Sequence, residues 1–281
     1  MQAAEKLDFV PDLALLCVKT QDVLTAINEN KQWLDGVPTI ALQNGVQAED
    51  LAASALKKDN VLGGVVFFGA TYLEPGKVTY SPAGNLVVGE AYGPVQERTK
   101  AIGNVLNKAI PTTVTANIRG ARWTKLIINE TNALPAITGL SFLEVNRDPY
   151  LRQLSVRLMQ EALRVITVSG NTLASLPEAP AWLLRLFLHM PMPVAELLPR
   201  MFSRTLGNAP ALGSTLQSIK RGKATEIDYL NGEVVALGEK TGQPTPYNTT
   251  IVALVHEVEQ RGTFFTRQEV EYRLQTAVKS V

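Results

Sequence analysis

Lys125, Asn129 and Asn132 interrupt an otherwise aliphatic stretch, residues 122–139, RWTKLIINETNALPAITG. At about 100° per residue, these spacings put all three side chains on one face of a helix. Leu126, Ile127, Ile128, Leu134 and Ile137 surround them. An ammonium group can hand a proton to an oxygen that is gaining charge, while carboxamides orient a polar ligand beside it. Among aliphatic neighbours, that composition suits a small-molecule site. A polar cluster satisfied by its own hydrogen bonds has the same composition, and the stripe alone does not separate the two.

The elements ahead of the stripe read as an α/β sheet. Residues 13–18, LALLCV, form a continuous apolar run of strand length; residues 21–33 have helical periodicity, and residues 37–42, VPTIAL, read as a second strand. Strand, helix, strand implies a parallel pair, at whose carboxyl ends stand Lys19 and Asn44-Gly45. Ligands bind at such ends in open α/β sheets. The competing readings are a solvated strand end for Lys19 and a plain turn for Asn44-Gly45.

Residues 61–68 make a third buried run, followed by a Pro75-Gly76 turn. Residues 77–81 and 85–90 then read as two short strands paired antiparallel, so the sheet is mixed. Residues 97–106 read as a covering helix with Ala101, Val105 and Leu106 facing inward. Periodicity lapses over residues 111–120, which divides the chain into residues 1–116, sheet-containing, and residues 117–281, helical.

Downstream, residues 149–169 carry a helical apolar stripe ending at Gly170, a suitable C-terminal cap. Residues 181–189 and 193–206 read as short helices between prolines, their Met and Leu content serving the core. Ser214 to Gln217 fits a capping box, S-x-x-Q, and Thr225 starts a further helix with Glu226 in its first turn. A solvated helix start is the alternative for Glu226. Residues 245–259 and 266–275 complete the helical part, and His256 reads as an ordinary surface or core residue.

Composition limits the function. A chain of 281 residues is long enough for two cores, and its 46% hydrophobic and 19% charged content is that of a globular protein. A net charge of +1 without a basic stretch argues against a nucleic-acid surface. The opening lacks a basic region followed by an apolar run, and residues 62–70, the longest apolar stretch, are too few to span a bilayer; a cytoplasmic protein is expected. One cysteine excludes an intrachain disulfide, and two distant histidines argue against a metal site. No G-x-G-x-x-G follows any strand. About two strand-helix units, of ~30 residues each, would be needed ahead of Met1 to supply one.

Four motifs in register, VKTQD at 18–22, LQNGV at 42–46, RWTKLIIN at 122–129 and TEIDYLNG at 225–232, resemble the ketopantoate reductase family. The resemblance runs from residue 13 to the end of the chain. It implies an incomplete Rossmann-like domain followed by an all-helical domain, with the site in the cleft between them. The implied reaction is NADPH-dependent reduction of 2-dehydropantoate, or of another 2-oxo acid, as in pantothenate biosynthesis. Lys125 resembles the lysine that protonates the carbonyl oxygen, and Glu226 the acidic residue at that oxygen. Asn129 and Ser214 match substrate-binding positions; Asn44 matches the asparagine near the nicotinamide ribose, and Lys19 a cofactor-contacting lysine. Asn132 departs from the pattern, because many members place the second asparagine four residues after the first, and here the interval is three.

Three readings follow for a chain without the glycine-rich turn: a truncated or mis-started reductase, a catalytically dead remnant that binds a ligand or partner, and a dehydrogenase of a neighbouring class acting on opines or 3-hydroxy acids. The resemblance also allows a homodimer. An unpaired sheet edge and an uncovered apolar face are expected to make the chain poorly soluble when expressed alone.

Overall fold

The computed structural model describes residues 3–80, 84–177, 179–205 and 212–279. Ser81 and Leu206, the ends of two expected elements, lie outside them. A five-stranded mixed sheet forms first, followed by a long series of helices. The strands are β1 (Ala14–Leu16), β2 (Thr39–Ala41), β3 (Val61–Val66), β4 (Ala70–Glu74), β5 (Lys77–Tyr80), β6 (Leu86–Glu90) and β7 (Thr112–Val114). The helices of this part are α1 (Val23–Glu29), α2 (Lys31–Leu34), α3 (Ala48–Ala55) and α4 (Glu97–Leu106).

The main sheet has the order β1-β2-β3-β6-β7; β1, β2 and β3 run parallel to one another, and β6 and β7, parallel to each other, run in the opposite direction. Successive side chains point to opposite faces of a strand, so β3 sends Val61 to one core and Leu62 to another. The Val61 side is covered by Val23 and Ile27 of α1 and Ala52 of α3; the Leu62 side is covered by Ile102 and Leu106 of α4.

Residues 77–81 and 85–90 do not pair. The Pro75-Gly76 turn closes β4 onto β5 instead, and β6, buried along its whole length, takes a central place in the sheet. An apolar strand with both faces buried gains more between two neighbours than at the edge of a hairpin. The inner face of α4 is Thr99, Ile102, Gly103 and Leu106, while Ala101 and Val105 face outward. Gly103 lets the helix approach Val114 of β7. The expected helix over residues 21–33 is a 3-10 turn followed by α1 and α2, broken at Asn30, whose side chain turns back to accept from Leu7 N–H and donate to Ala26 O.

The helical part comprises α5 (Ile118–Asn129), α6 (Ala133–Thr138), α7 (Phe142–Arg147), α8 (Pro149–Val168), α9 (Ala181–Leu188), α10 (Met192–Ala195), α11 (Leu197–Thr205), α12 (Ser214–Lys220), α13 (Asn231–Thr241), α14 (Pro246–Arg261) and α15 (Arg267–Lys279). Asp148 caps α8 through Leu151 N–H at 2.9 Å, with Pro149 in the first turn, where its missing N–H costs nothing. Leu151, Leu154 and Leu158 of α8 then pack with Leu134 and Ile137 of α6 and Ile251, Leu254 and Val258 of α14 into one core.

Contacts group residues 1–68 and 83–123 into one compact unit and residues 69–82 and 124–281 into a second. The β4–β5 hairpin belongs to the second unit, where Arg221 lies 5.6 Å from the Tyr72 ring.

Candidate functional site

In the first unit, the carboxyl ends of β1 and β2 are tied together by side chains. Gln43 Nε2 donates to Leu16 O at 2.9 Å and to Val18 O at 3.0 Å, and Thr20 Oγ1 donates to Asn44 O at 3.3 Å. Lys19 and Asn44 therefore emerge from adjoining, mutually bonded strand ends, both half-buried. Gly45 takes a φ of +83°, the left-handed conformation that glycine adopts without steric cost.

The loop carrying Asn44 is held by a residue that the chemistry-first reading passed over. Arg122, 3% exposed, donates through Nη2 to Ala41 O at 2.7 Å, through Nη1 to Gly45 O at 3.3 Å and to Gln43 O, and through Nε to the carboxylate of Glu49. A guanidinium fork suits this task, since its donors fan out in one plane. Space for the pair comes from Gly63 of β3: a Cβ there would overlap the Glu49 carboxylate and Ile118. The only sequence sign was an arginine on a helix otherwise turning towards aliphatic residues.

In the second unit, Lys125 is half-buried and Asn129 buried, one helical turn apart on α5. The expected single helix over residues 122–139 is instead α5, a 3-10 turn over Glu130–Asn132, and α6. Pro135 explains the break: it has no N–H for the Thr131 carbonyl, and its ring crowds the preceding turn. Asn132 still meets Asn129, with its Nδ2 3.4 Å from Asn129 Oδ1.

Ser214 comes to the same turn. The expected capping box does not form: Gly213 is the N-cap of α12, and Ser214, in the first helical position, is exposed. Gly213 lies close enough to Asn132 O that a Cβ there would stand 3.5 Å from it. Glu226 is half-buried at the N-cap of a 3-10 turn, Ile227–Tyr229, rather than in the first turn of an α-helix, because Thr225 Oγ1 accepts the Ile227 N–H and α13 begins only at Asn231.

Asn231 links the TEIDYLNG segment to the turn that carries the asparagines. Its Nδ2 lies 3.1 Å from Glu130 O, 2.8 Å from Glu130 Oε2 and 2.9 Å from Asn248 Oδ1. Asn248 donates in turn to Glu161, which also accepts the Tyr247 and Asn248 backbone N–H groups at 3.1 and 2.8 Å at the start of α14. Burial, reinforced by the charge of Glu161, pushes the Glu130 carboxyl well above the usual range. Neither Glu130 nor Glu161 stands out from the sequence, since each reads as one more polar residue on a helix. A shallow hollow beside α14 and α15, lined by Arg261, Phe265, Tyr272 and Arg273, contains none of the site residues. Among the described residues no group of three His, Cys, Asp or Glu could hold a metal ion.

The family described as "Ketopantoate reductase PanE/ApbA" matches residues 2–93, and "Ketopantoate reductase PanE/ApbA C terminal" matches residues 117–259. A 2-dehydropantoate 2-reductase of Archaeoglobus fulgidus is 30% identical over 250 residues, which cover 88% of this chain and 76% of that protein. The crystal structure of a PanE/ApbA family ketopantoate reductase from Ralstonia eutropha JMP134 superimposes with a TM-score of 0.72 at 30% identity, over 89% of this chain and 76% of that one. A D-mandelate dehydrogenase, solved with NADH and anilino(oxo)acetate, has a TM-score of 0.72 at 21% identity over 92% of this chain and 78% of that one, a likeness of fold alone.

Proposed function

The chain belongs to the ketopantoate reductase family, and from that premise we propose that it reduces 2-dehydropantoate, or a close 2-oxo acid analogue, to the 2-hydroxy acid with NADPH. Lys125 is the proton donor. As a hydride adds to the carbonyl carbon, the π pair moves onto oxygen, and a proton passes from the Lys125 ammonium to that oxygen, leaving a neutral amine and a hydroxyl. An ammonium fixed before charge develops lowers the barrier because nothing has to reorganise during the step. Glu226 accepts the hydrogen bond of the new hydroxyl. Asn129 and Asn132 orient the substrate, and the hydroxyl of the exposed Ser214 serves the same end.

The hydride comes from the nicotinamide of the bound cofactor. Lys19 and Asn44 suit a ribose and phosphate ligand by donor chemistry, a cation and a carboxamide at two adjoining strand ends, and the φ of Gly45 brings bare backbone beside them. No G-x-G-x-x-G is present in the chain to receive a pyrophosphate. Lys19 and Asn44 therefore account for contacts at the ribose side only.

The observation that carries this reading is the gathering of three distant sequence motifs on one turn of the second unit: Asn132 against Asn129, Gly213 against Asn132 O, and Asn231 against Glu130. A polar cluster that served packing alone would not need the exposed Ser214 at its edge. The test is NADPH oxidation by the purified chain with 2-dehydropantoate as acceptor. Turnover that is lost in Lys125→Ala supports the reading. Turnover unaffected by that substitution refutes the role of Lys125, and tight binding of the oxo acid without any oxidation of NADPH refutes the reaction.

A further inference from the structure

The segment that carries Glu226 is fastened to α14 on both sides of that residue. Thr225 N–H donates to Glu259 Oε1 at 2.7 Å, and Asp228 Oδ1 lies 2.9 Å from His256 Nε2. The other ring nitrogen, His256 Nδ1, lies 2.9 Å from Glu259 Oε2. One imidazole thus stands between two carboxylate oxygens. A carboxylate oxygen only accepts, and a neutral imidazole has a single N–H, so it can bond one of them while turning a lone pair towards the other; the doubly protonated ring bonds both.

We propose that His256, as an imidazolium, is a positioning residue that braces Thr225–Asp228 against α14 and so holds Glu226 where it acts. The proposal rests on the role given to Glu226 above. Ile251, Val255 and Val258 bury the inner face of α14, and Ile227 enters the same core, whereas Asp228 is exposed and is fastened to α14 through the ring. Released from His256, the segment keeps its Ile227 anchor and the Asn231 bonds further on, but loses the tie at Asp228, two residues from Glu226.

The charges around the ring are few. Within α14, Glu259 faces it, while Glu257 is taken up by Arg261 and by Arg273 of α15. Glu161 of α8 serves the far end of α14 at Tyr247 and Asn248. α6 carries no charged residue, and the two ring nitrogens are taken up by Asp228 and Glu259. Burial alone would lower the pKa of His256, but the bonds to Asp228 and Glu259 outweigh it and hold the value above the ordinary 6.5. Glu259, raised by burial, is brought below its usual range by the Thr225 N–H and the imidazolium. A raised histidine pKa means that the brace is fully present below 6.5 and is lost as pH rises through the folded value.

The chain has two histidines, His189 and His256, so the imidazole resonances can be assigned with His189→Gln and titrated by NMR. The expected result is a His256 ring protonated on both nitrogens at pH 6.5 and titrating above that value, with Asp228→Asn moving the titration down. In parallel, kcat/KM for 2-dehydropantoate should fall as pH rises through the same value. That limb should move with Asp228→Asn and be absent from His256→Gln, which is expected to be about two- to fivefold slower at low pH, in keeping with a partly exposed pair. A substitution that only weakened the fold would lower the melting temperature without shifting a kinetic pKa. A ring that titrates at or below 6.5, or a kinetic limb that stays in place in Asp228→Asn, overturns the proposal. Absence of any NADPH oxidation by the unsubstituted chain overturns the reading of the reaction, and the role of the brace with it, while the NMR titration still shows whether the brace forms.

Discussion

Glu130 has no solvent exposure, among the described residues its Oε1 has no hydrogen-bond partner, and burial with the nearby Glu161 charge favours its neutral form. Its pKa is higher folded than unfolded, so the folded state binds the extra proton. Stability from this group therefore falls as pH rises above the unfolded value of 4.5, by at most about 1.36 kcal/mol per pH unit. Glu130→Gln keeps the shape and cannot ionise. It is expected to be more stable than the unsubstituted chain at neutral pH, with a difference in urea unfolding that grows as pH rises above 4.5; a pH-independent difference would contradict this. Glu130→Ala should instead lose stability at every pH, because it strips Asn231 of a partner. Lys125, Asn129 and Asn132 were legible in the sequence because each interrupts an aliphatic run at helical spacing. Glu130 was not, since burial of a carboxylate is decided by α8, α13 and α14, which the local pattern does not contain.

Among the elements, β3 and α5 depend on one another through Gly63, Glu49 and Arg122. Side chains of the ion pair are each 2% exposed, so removing one partner leaves a charge without water or counter-ion. Arg122→Met is expected to cost about 3–5 kcal/mol for that reason, and Gly63→Ala about 1–3 kcal/mol through overlap with the Glu49 carboxylate. Urea midpoints measure both. In the double variant Arg122→Met with Glu49→Gln, the loss should be clearly smaller than the sum of the single losses; strict additivity would mean that the pair does not act as a unit. Strand and helix positions were readable from apolar runs and periodicity, as β1, β2, β3 and α4 demonstrate. Pairing was not. β5, KVTY, and β6, LVVGE, have similar lengths, and burial on both faces sends the more apolar β6 into the sheet. The division of residues 122–139 into α5, a 3-10 turn and α6 had a visible cause in Pro135, which the periodicity outweighed.

At the scale of the molecule, a net charge of +1 gives little mutual repulsion, and β1 lies at one edge of the sheet with Leu15 46% exposed and Val18, just past its end, 39% exposed. An apolar edge strand with free backbone groups is a template for pairing with another chain. Light scattering should therefore show association that increases with concentration, and Leu15→Lys should suppress it; a monodisperse monomer at high concentration would contradict the expectation. Among the described residues no helix is long and apolar enough to cross a membrane. That the chain has a sheet followed by helices was readable from its periodicity, whereas the grouping of the β4–β5 hairpin with the helical unit depends on contacts such as Arg221 with Tyr72, far apart in sequence. The reaction itself is tested most directly by following NADPH oxidation with 2-dehydropantoate for the unsubstituted chain and for Lys125→Ala under identical conditions. The account predicts turnover by the former and a loss of about 10²–10⁴-fold in kcat for the latter, the usual worth of a positioned proton donor. Equal rates for the two, or no turnover by either, would contradict it.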